Sequence, residues 1–326
     1  FDIVVLFFKE LKRRCEAQVG QPLNRAMLGR PVHFVDDDPE RDTLAQETLG
    51  RAAREAGFTE IAFQLEPIAA ALDYEQRVQH ETTALVVDIG GGTSDFTVIQ
   101  LNPARSAIAD RSADILATTG VHIGGTDCDR LLDLATVMPL LGYRHIGTGR
   151  RPVPNSVFFD LSTWHLIHQA YTRKALHFAK ELWTDYVDQT LHARLMDVLE
   201  GQHGHRMLSG VEAAKIACSV TGDDALVDLD FLGHGGSEHL GATVTASTMT
   251  DTLQQAINQI VQCAQQCVQR SGLASVDTIY LTGGSSALRP LVEALRTAMP
   301  EATLVEGNRF GGVAAGLGYA GATLPV

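Results

Sequence analysis

Cysteine is scarce and unpaired in this sequence. Its five residues (Cys15, Cys128, Cys218, Cys263, Cys267) form no Cys-x-x-Cys pair, and an odd number spread over 326 residues is not a disulfide framework. Cys263 and Cys267 stand one helical turn apart in an apolar stripe and read as buried free thiols, so a reducing, cytoplasmic compartment is expected. Basic residues are also in deficit, 26 Lys+Arg against 39 Asp+Glu, for a formal charge of −13. Phosphate backbones and anionic lipid surfaces are held by clustered Lys and Arg, so this balance argues against nucleic acid and membrane as partners. Long apolar runs are missing: Ile3 to Phe8 is far too short to span a bilayer. No secretory signal is visible, and the chain opens on Phe1 instead of Met, which gives the expectation of a piece of something longer. Aromatics are few at 6%, but 45% hydrophobic and 20% charged residues describe an ordinary globular chain long enough for two lobes.

Strand and helix patterns alternate. An amphipathic helix over 3–19, with Phe7, Leu11, Cys15 and Val19 at four-residue spacing, ends at Gly20. A strand candidate follows at 26–35, weakened by Gly29 and Pro31. Asp38-Pro39-Glu40 is a strong helix start, and that helix runs to Gly57. A strand at 61–65 ends at Glu66-Pro67, before an alanine-rich helix over 68–74. Thr83 to Val87 is a continuous apolar run, the pattern of a buried central strand, and a partner strand is expected at 96–101. Further strands are expected at 113–119, 225–231, 240–245 and 278–281. Helices are expected at 127–141, 162–180, 181–199, 211–219, from a Thr248 cap to Gly272, at 288–299, and from Gly311. This is an α/β chain with mixed sheets flanked by helices.

Three glycine clusters stand at strand ends. Asp88-Ile89-Gly90-Gly91-Gly92-Thr93-Ser94-Asp95 joins two strands; Gly120 to Gly125 and Thr282-Gly283-Gly284-Ser285-Ser286 each lead from a strand into a helix. Bare backbone lets N–H groups approach a polyphosphate, and Asp88 and Asp95 suit Mg²⁺ held through water. A glycine-rich hairpin turn or a steric αβ loop explains any one of these clusters alone. Three along one chain point to phosphate. Glu66 suits the orienting of an attacking water, and equally a helix start favoured by the dipole.

Taken in order, Glu66-Pro67-Ile68-Ala69-Ala70-Ala71, Asp88 to Asp95, His122-Ile123-Gly124-Gly125-Thr126-Asp127 and Gly283-Gly284-Ser285 resemble the ATPase domain of the DnaK-type heat shock protein 70 family. The similarity runs over 1–141 and 209–322. Residues 142–208 depart from ordinary DnaK and are similar to the divergent YegD-like branch. The resemblance implies the actin-like ATPase fold, ribonuclease H-like duplicated lobes clasping Mg-ATP. Residues 1–119 would be the remainder of a partial first lobe. Residues 120–326 would be the second, with the insertion at 142–208 and a last helix about 311–322 returning to the first.

It also implies roles. Glu66, Asp88 and Asp95 match the catalytic acids, the two aspartates lying near the metal. Gly90, Gly91, Gly92 and Thr93 match a phosphate loop, and Gly124 and Gly125 the glycines beside the phosphates. Glu212, Lys215 and Ser219 match an adenosine-contacting helix, and Gly283, Gly284 and Ser285 the loop under adenine and ribose. ATP or ADP with Mg would be the cofactor, and a co-chaperone or client protein the macromolecular partner of the parent protein. Three positions depart: Ile216 and Ala287 stand where the family has adenine-side arginines, and Phe310 where it has an aspartate. The family's first phosphate loop has no counterpart here, so negligible hydrolysis is expected of this piece and turnover of its parent. The rival readings are a nucleotide-binding scaffold or regulatory protein without turnover, and a small-molecule kinase of the same superfold. His165, His168, His203 and His205 lack a metal-ligand spacing and read as solvent-facing or hydrogen-bonded; Trp164 and Trp183 read as packing anchors, and Arg144 to Arg151 as a solvated loop.

Overall fold

The computed structural model describes residues 1–326 except 33, 36–37, 76–77, 106–110, 233–238, 309–310 and 323–326. Helix α1 (Asp2–Val19) stops at Gly20, whose φ of 76° is left-handed. Strand β1 (Arg25–Arg30) ends five residues before the expected Val35, because Pro31 has no N–H to continue a ladder. Helix α2 (Pro39–Glu55) is capped as expected: the Asp38 carboxylate accepts from the Arg41 N–H. Strand β2 (Glu60–Leu65) pairs in parallel with β1 and feeds directly into α3 (Glu66–Glu75), which starts two residues before the expected Ile68.

The main sheet begins with β3 (Thr82–Ile89), β4 (Ser94–Leu101) and β5 (Ile115–Val121), an antiparallel meander. Helix α4 (Gly125–Thr136) follows, shorter than the expected 127–141, since the chain tightens into a 3-10 turn at Met138–Leu141. In the insertion the two long helices expected at 162–180 and 181–199 are broken into α5 (Ser156–Ser162), α6 (Ile167–Ala170), α7 (Arg173–Glu181) and α8 (Gln189–Glu200). Thr172 and Asp188 cap α7 and α8 by accepting from backbone N–H groups, and such local bonds interrupt a continuous helix. Helix α9 (Gly204–Thr221) is twice the expected length. Strands β6 (Ala225–Asp228) and β7 (Gly241–Val244) form a separate hairpin, and β6 stops three residues before Phe231. Helix α10 (Ala246–Arg270) is capped by Thr245, whose hydroxyl accepts from the N–H of Thr248, the residue expected to cap. Strand β8 (Thr278–Thr282), α11 (Arg289–Ala298), the unexpected β9 (Thr303–Glu306) and α12 (Gly312–Ala322) complete the described chain.

The five-stranded sheet has the order β5-β4-β3-β8-β9, with β3, β8 and β9 parallel and the others antiparallel. It joins residues on both sides of the division expected at 119 and 120. Alternation along β3 supplies two cores: Leu85, Val87 and Ile89 face the large cluster with α4, α9 and α10, while Ala84 and Val86 face Ile68 and Ala71 of α3 and Ala320 of α12. A third cluster, with Val5, Phe8, Ala52 and Ala53, seals α1 to α2. A buried ion triad pins the far end of α3, where the Arg111 guanidinium donates to both Glu75 oxygens (2.9 and 3.0 Å) and to Asp114 ahead of β5.

Trp164 and Trp183, expected as packing anchors, are 46% and 51% exposed and pack edge-on against His205 and His192. His203 stands edge-on against Phe231. Cys263 and Cys267 are buried free thiols. Among the described residues, no helix is long and apolar enough to cross a membrane.

Candidate functional site

The β3–β4 hairpin register sets Asp88 directly opposite Asp95, and β5 sets Gly120 opposite Asp95 on its other side. A methyl on Gly120 would lie 3.0 Å from Asp95 Oδ1, so the bare residue leaves that carboxylate room. The Thr93 hydroxyl donates to Asp95 Oδ2 at 2.9 Å. Glu66 reaches the same region from the β2–α3 junction. A cleft of about 1260 Å³ is lined by Arg30, Glu66, Asp88, Thr93, Asp95 and His122, with Gln266 and Arg270 of α10 also on its wall.

The cleft is electrostatically acidic. Burial pushes Asp88 up to about 6, and the neighbouring Asp95 charge adds to the effect. Glu66 is raised first by burial and then by the charges of Asp88 and Asp95. Arg30 is committed elsewhere, to Asp42 at 2.8 Å and to the Val32 carbonyl at 2.9 Å. Among the described residues no Lys or Arg forms an ion pair with Asp88. Carboxylates crowded together this way fit a hydrated Mg²⁺, which takes few direct protein ligands and keeps its waters.

The three glycine clusters meet beside these acids. The Gly125 N–H donates to the Gly90 carbonyl (3.0 Å), and the Thr126 N–H and hydroxyl both donate to the Gly91 carbonyl (2.8 Å each). The Ser285 N–H donates to the Ile89 carbonyl at 3.1 Å. Gly283 needs its positive φ of 82°, and a methyl there would strike Asp88 Oδ1 at 2.4 Å. The first amides of α4 therefore hold the Gly90–Gly91 turn, and the Gly124 N–H donates to Asp127. Gly91, Gly92 and Thr93 are left exposed.

The expected adenosine side is not part of the cleft. Glu212 is exposed, but Lys215, expected on the same face, is buried and paired with Asp129. The Ser219 hydroxyl is directed at Met249 Sδ, at 3.7 Å. Ile216 is 52% exposed, Ala287 is half-buried, and Phe310 lies outside the described residues. Gly284 is exposed on the β8–α11 loop, next to Ser285. Four cleft residues were not anticipated. His122 had a signal, its place two residues before Gly124-Gly125; Arg30, Gln266 and Arg270 had none, because only the tertiary fold brings β1 and the last turns of α10 to the acids.

Residues 2–136, about two fifths of the chain, match the family model described as Hsp70 protein. The match supports an Hsp70-type, chaperone-family ATP-binding domain over that stretch. It takes in Glu66, Asp88, the Gly90 to Thr93 turn, Asp95, Gly124 and Gly125, and it ends with α4.

Proposed function

We propose that this chain is nucleotide-binding machinery of a chaperone-type ATPase of the YegD-like branch. In this reading Mg-ATP binds between two lobes, one built on the five-stranded sheet and the other on α1, α2, β1 and β2, with α12 returning to it. The polyphosphate lies over the exposed Gly91, Gly92 and Thr93, whose N–H groups donate to its oxygens, the Thr93 hydroxyl rotating from Asp95 to join them. Asp88 and Asp95 hold the metal through water; when bound, Mg²⁺ neutralises phosphate charge. Glu66, with its raised proton affinity, orients the attacking water and accepts its proton. Glu212, Ser219 and the Gly283 to Ser285 loop contact the adenosine. Closure on nucleotide and relaxation after hydrolysis would signal to a client or co-chaperone.

One observation carries the reading: Glu66 from the β2–α3 junction and Asp88, Thr93 and Asp95 from the β3–β4 hairpin come to one cleft, at the point where all three glycine clusters interlock. The test is thermal melting of the full-length parent protein with and without Mg-ATP, then phosphate release on the same sample. Nucleotide at 100 times its Kd adds about 2.7 kcal/mol of stability. A melting shift with slow release that Asp88→Asn abolishes supports the ATPase. No shift at all rejects nucleotide binding. The half-exposed Ile216, with Ala287 beyond it, favours one alternative, a nucleotide-binding scaffold without turnover. A shift without release would select that reading.

A further inference from the structure

Glu66 opens α3, yet what surrounds it comes from both ends of the chain. A methyl built on Gly29 of β1 would lie 3.2 Å from Glu66 Cγ, 3.3 Å from Glu66 Oε1 and 3.3 Å from Leu317 Cδ1. The side chains of Glu66 and Leu317 therefore stand over the same stretch of bare backbone. The neighbouring contact explains how Leu317 is held there. A methyl on Gly316 would fall 1.7 Å from the Ala69 carbonyl oxygen and 2.4 Å from its carbon. Helix α12 thus meets the first turn of α3 backbone to backbone, closer than any side chain allows. With Gly316 seated on Ala69, the next residue is delivered to Glu66.

We propose that Gly29 and Leu317 are positioning residues for Glu66: Gly29 leaves the space its side chain occupies, and Leu317 walls that space, so the last helix sets where the carboxylate points. This rests on the reading above, in which Glu66 orients the attacking water. A glutamate has three rotatable bonds, and a water-orienting carboxylate must stay within hydrogen-bond reach of its water. Without the wall the side chain gains rotamers that point elsewhere. Displacing a reacting group by about 1 Å lowers turnover by as much as a hundredfold. The site would thereby depend on how α12 is seated, although α12 contributes no polar group to it.

The experiment, run on the full-length parent protein, compares wild type with Leu317→Ala, Leu317→Met and Gly29→Ala. It measures kcat, KM, the melting shift with Mg-ATP, and the crystal structure of Leu317→Ala. Leu317→Ala is expected to lower kcat at least about tenfold with KM held within about twofold, the signature of a lost transition-state interaction. Leu317→Met restores most of the rate by refilling the volume, and Gly29→Ala lowers kcat by crowding the carboxylate. The crystal structure shows Glu66 turned away from residue 29. A Leu317→Ala protein with wild-type kcat, or with Glu66 unmoved in the crystal, overturns the inference. So does a rise in KM equal to the loss of rate. Absence of any Mg-ATP melting shift in wild type instead overturns the reading on which it rests.

Discussion

Lys215 Nζ lies 2.8 Å from Asp129 Oδ1, with side-chain exposures of only 8% and 6%, so the lysine of α9 is committed to α4. It also donates to the Gly125 carbonyl at 3.3 Å, which ties the same seam to the glycine cluster. One turn further along α4, Asp133 is fully buried, its carboxyl oxygens without hydrogen-bond partners among the described residues; burial, and then the Asp129 charge, push it well above the usual carboxylate range. Among the described residues Lys215 is the ion-pair partner of Asp129 and not of Asp133. Removing a single partner of a buried pair strands the other, at a cost of about 3–5 kcal/mol, whereas replacing both with apolar residues is often neutral. Lys215→Met should destabilise by that amount in urea unfolding, and adding Asp129→Leu should recover most of it. A Lys215→Met protein of unchanged stability but weakened nucleotide binding would show that the lysine serves the ligand instead.

Asp88 carries a pH signature of the opposite sign to a salt-bridged aspartate. Its folded pKa is raised to about 6 from an ordinary 3.8, with burial the larger cause and Asp95 the smaller. The folded chain thus binds its proton more tightly than the unfolded chain does. Its stabilising effect is fully present below the ordinary value and is lost as pH rises through about 6. Urea unfolding without divalent metal should therefore show stability falling across that window. Asp88→Asn should flatten the profile and raise stability at neutral pH by about 3 kcal/mol, since a tenfold change in proton affinity corresponds to about 1.4 kcal/mol. Mg²⁺ added to wild type should offset the fall, because the cation replaces the proton. A profile unaffected by Asp88→Asn would mean that the cleft acids are already balanced by another group.

What was legible in the sequence was whatever depends on local chemistry. Three glycine clusters, the first flanked by Asp88 and Asp95, and the buried strand leading into it could be read because bare backbone and continuous apolar runs carry their meaning without neighbours. The Asp38-Pro39 helix start was legible for the same reason. The insertion was not, since its apolar pattern suits long helices, while the Thr172 and Asp188 side chains bond the backbone and divide them. The burial of Lys215 was hidden because its partner lies on another helix, far away in sequence. Strand β9 was missed because its four residues, Thr303 to Glu306, gain their pairing only from β8.

The interlock of the glycine clusters makes one last prediction, at the contact between Gly125 and Ser285. A methyl on Gly125 would lie 2.2 Å from Ser285 Oγ and 3.3 Å from Ser285 Cβ. The hydroxyl is therefore the main obstacle, and removing it relieves the crowding without moving the backbone. Gly125→Ala should destabilise by about 1–3 kcal/mol, the usual effect of overpacking, and should weaken Mg-ATP binding by displacing the Gly90–Gly91 turn. Ser285→Ala alone should be mild, because its N–H to Ile89 remains. Paired with Gly125→Ala it should restore most of the stability, giving a coupling energy of about 1 kcal/mol or more in a double-mutant cycle. If the two substitutions are additive, Gly125 is needed for a reason other than Ser285, and the nearest remaining neighbour is the Gly90 carbonyl at 3.5 Å. Recovery of stability together with nucleotide binding would show that the loops act as one cradle; recovery of stability alone would separate the packing of the loops from the recognition of phosphate.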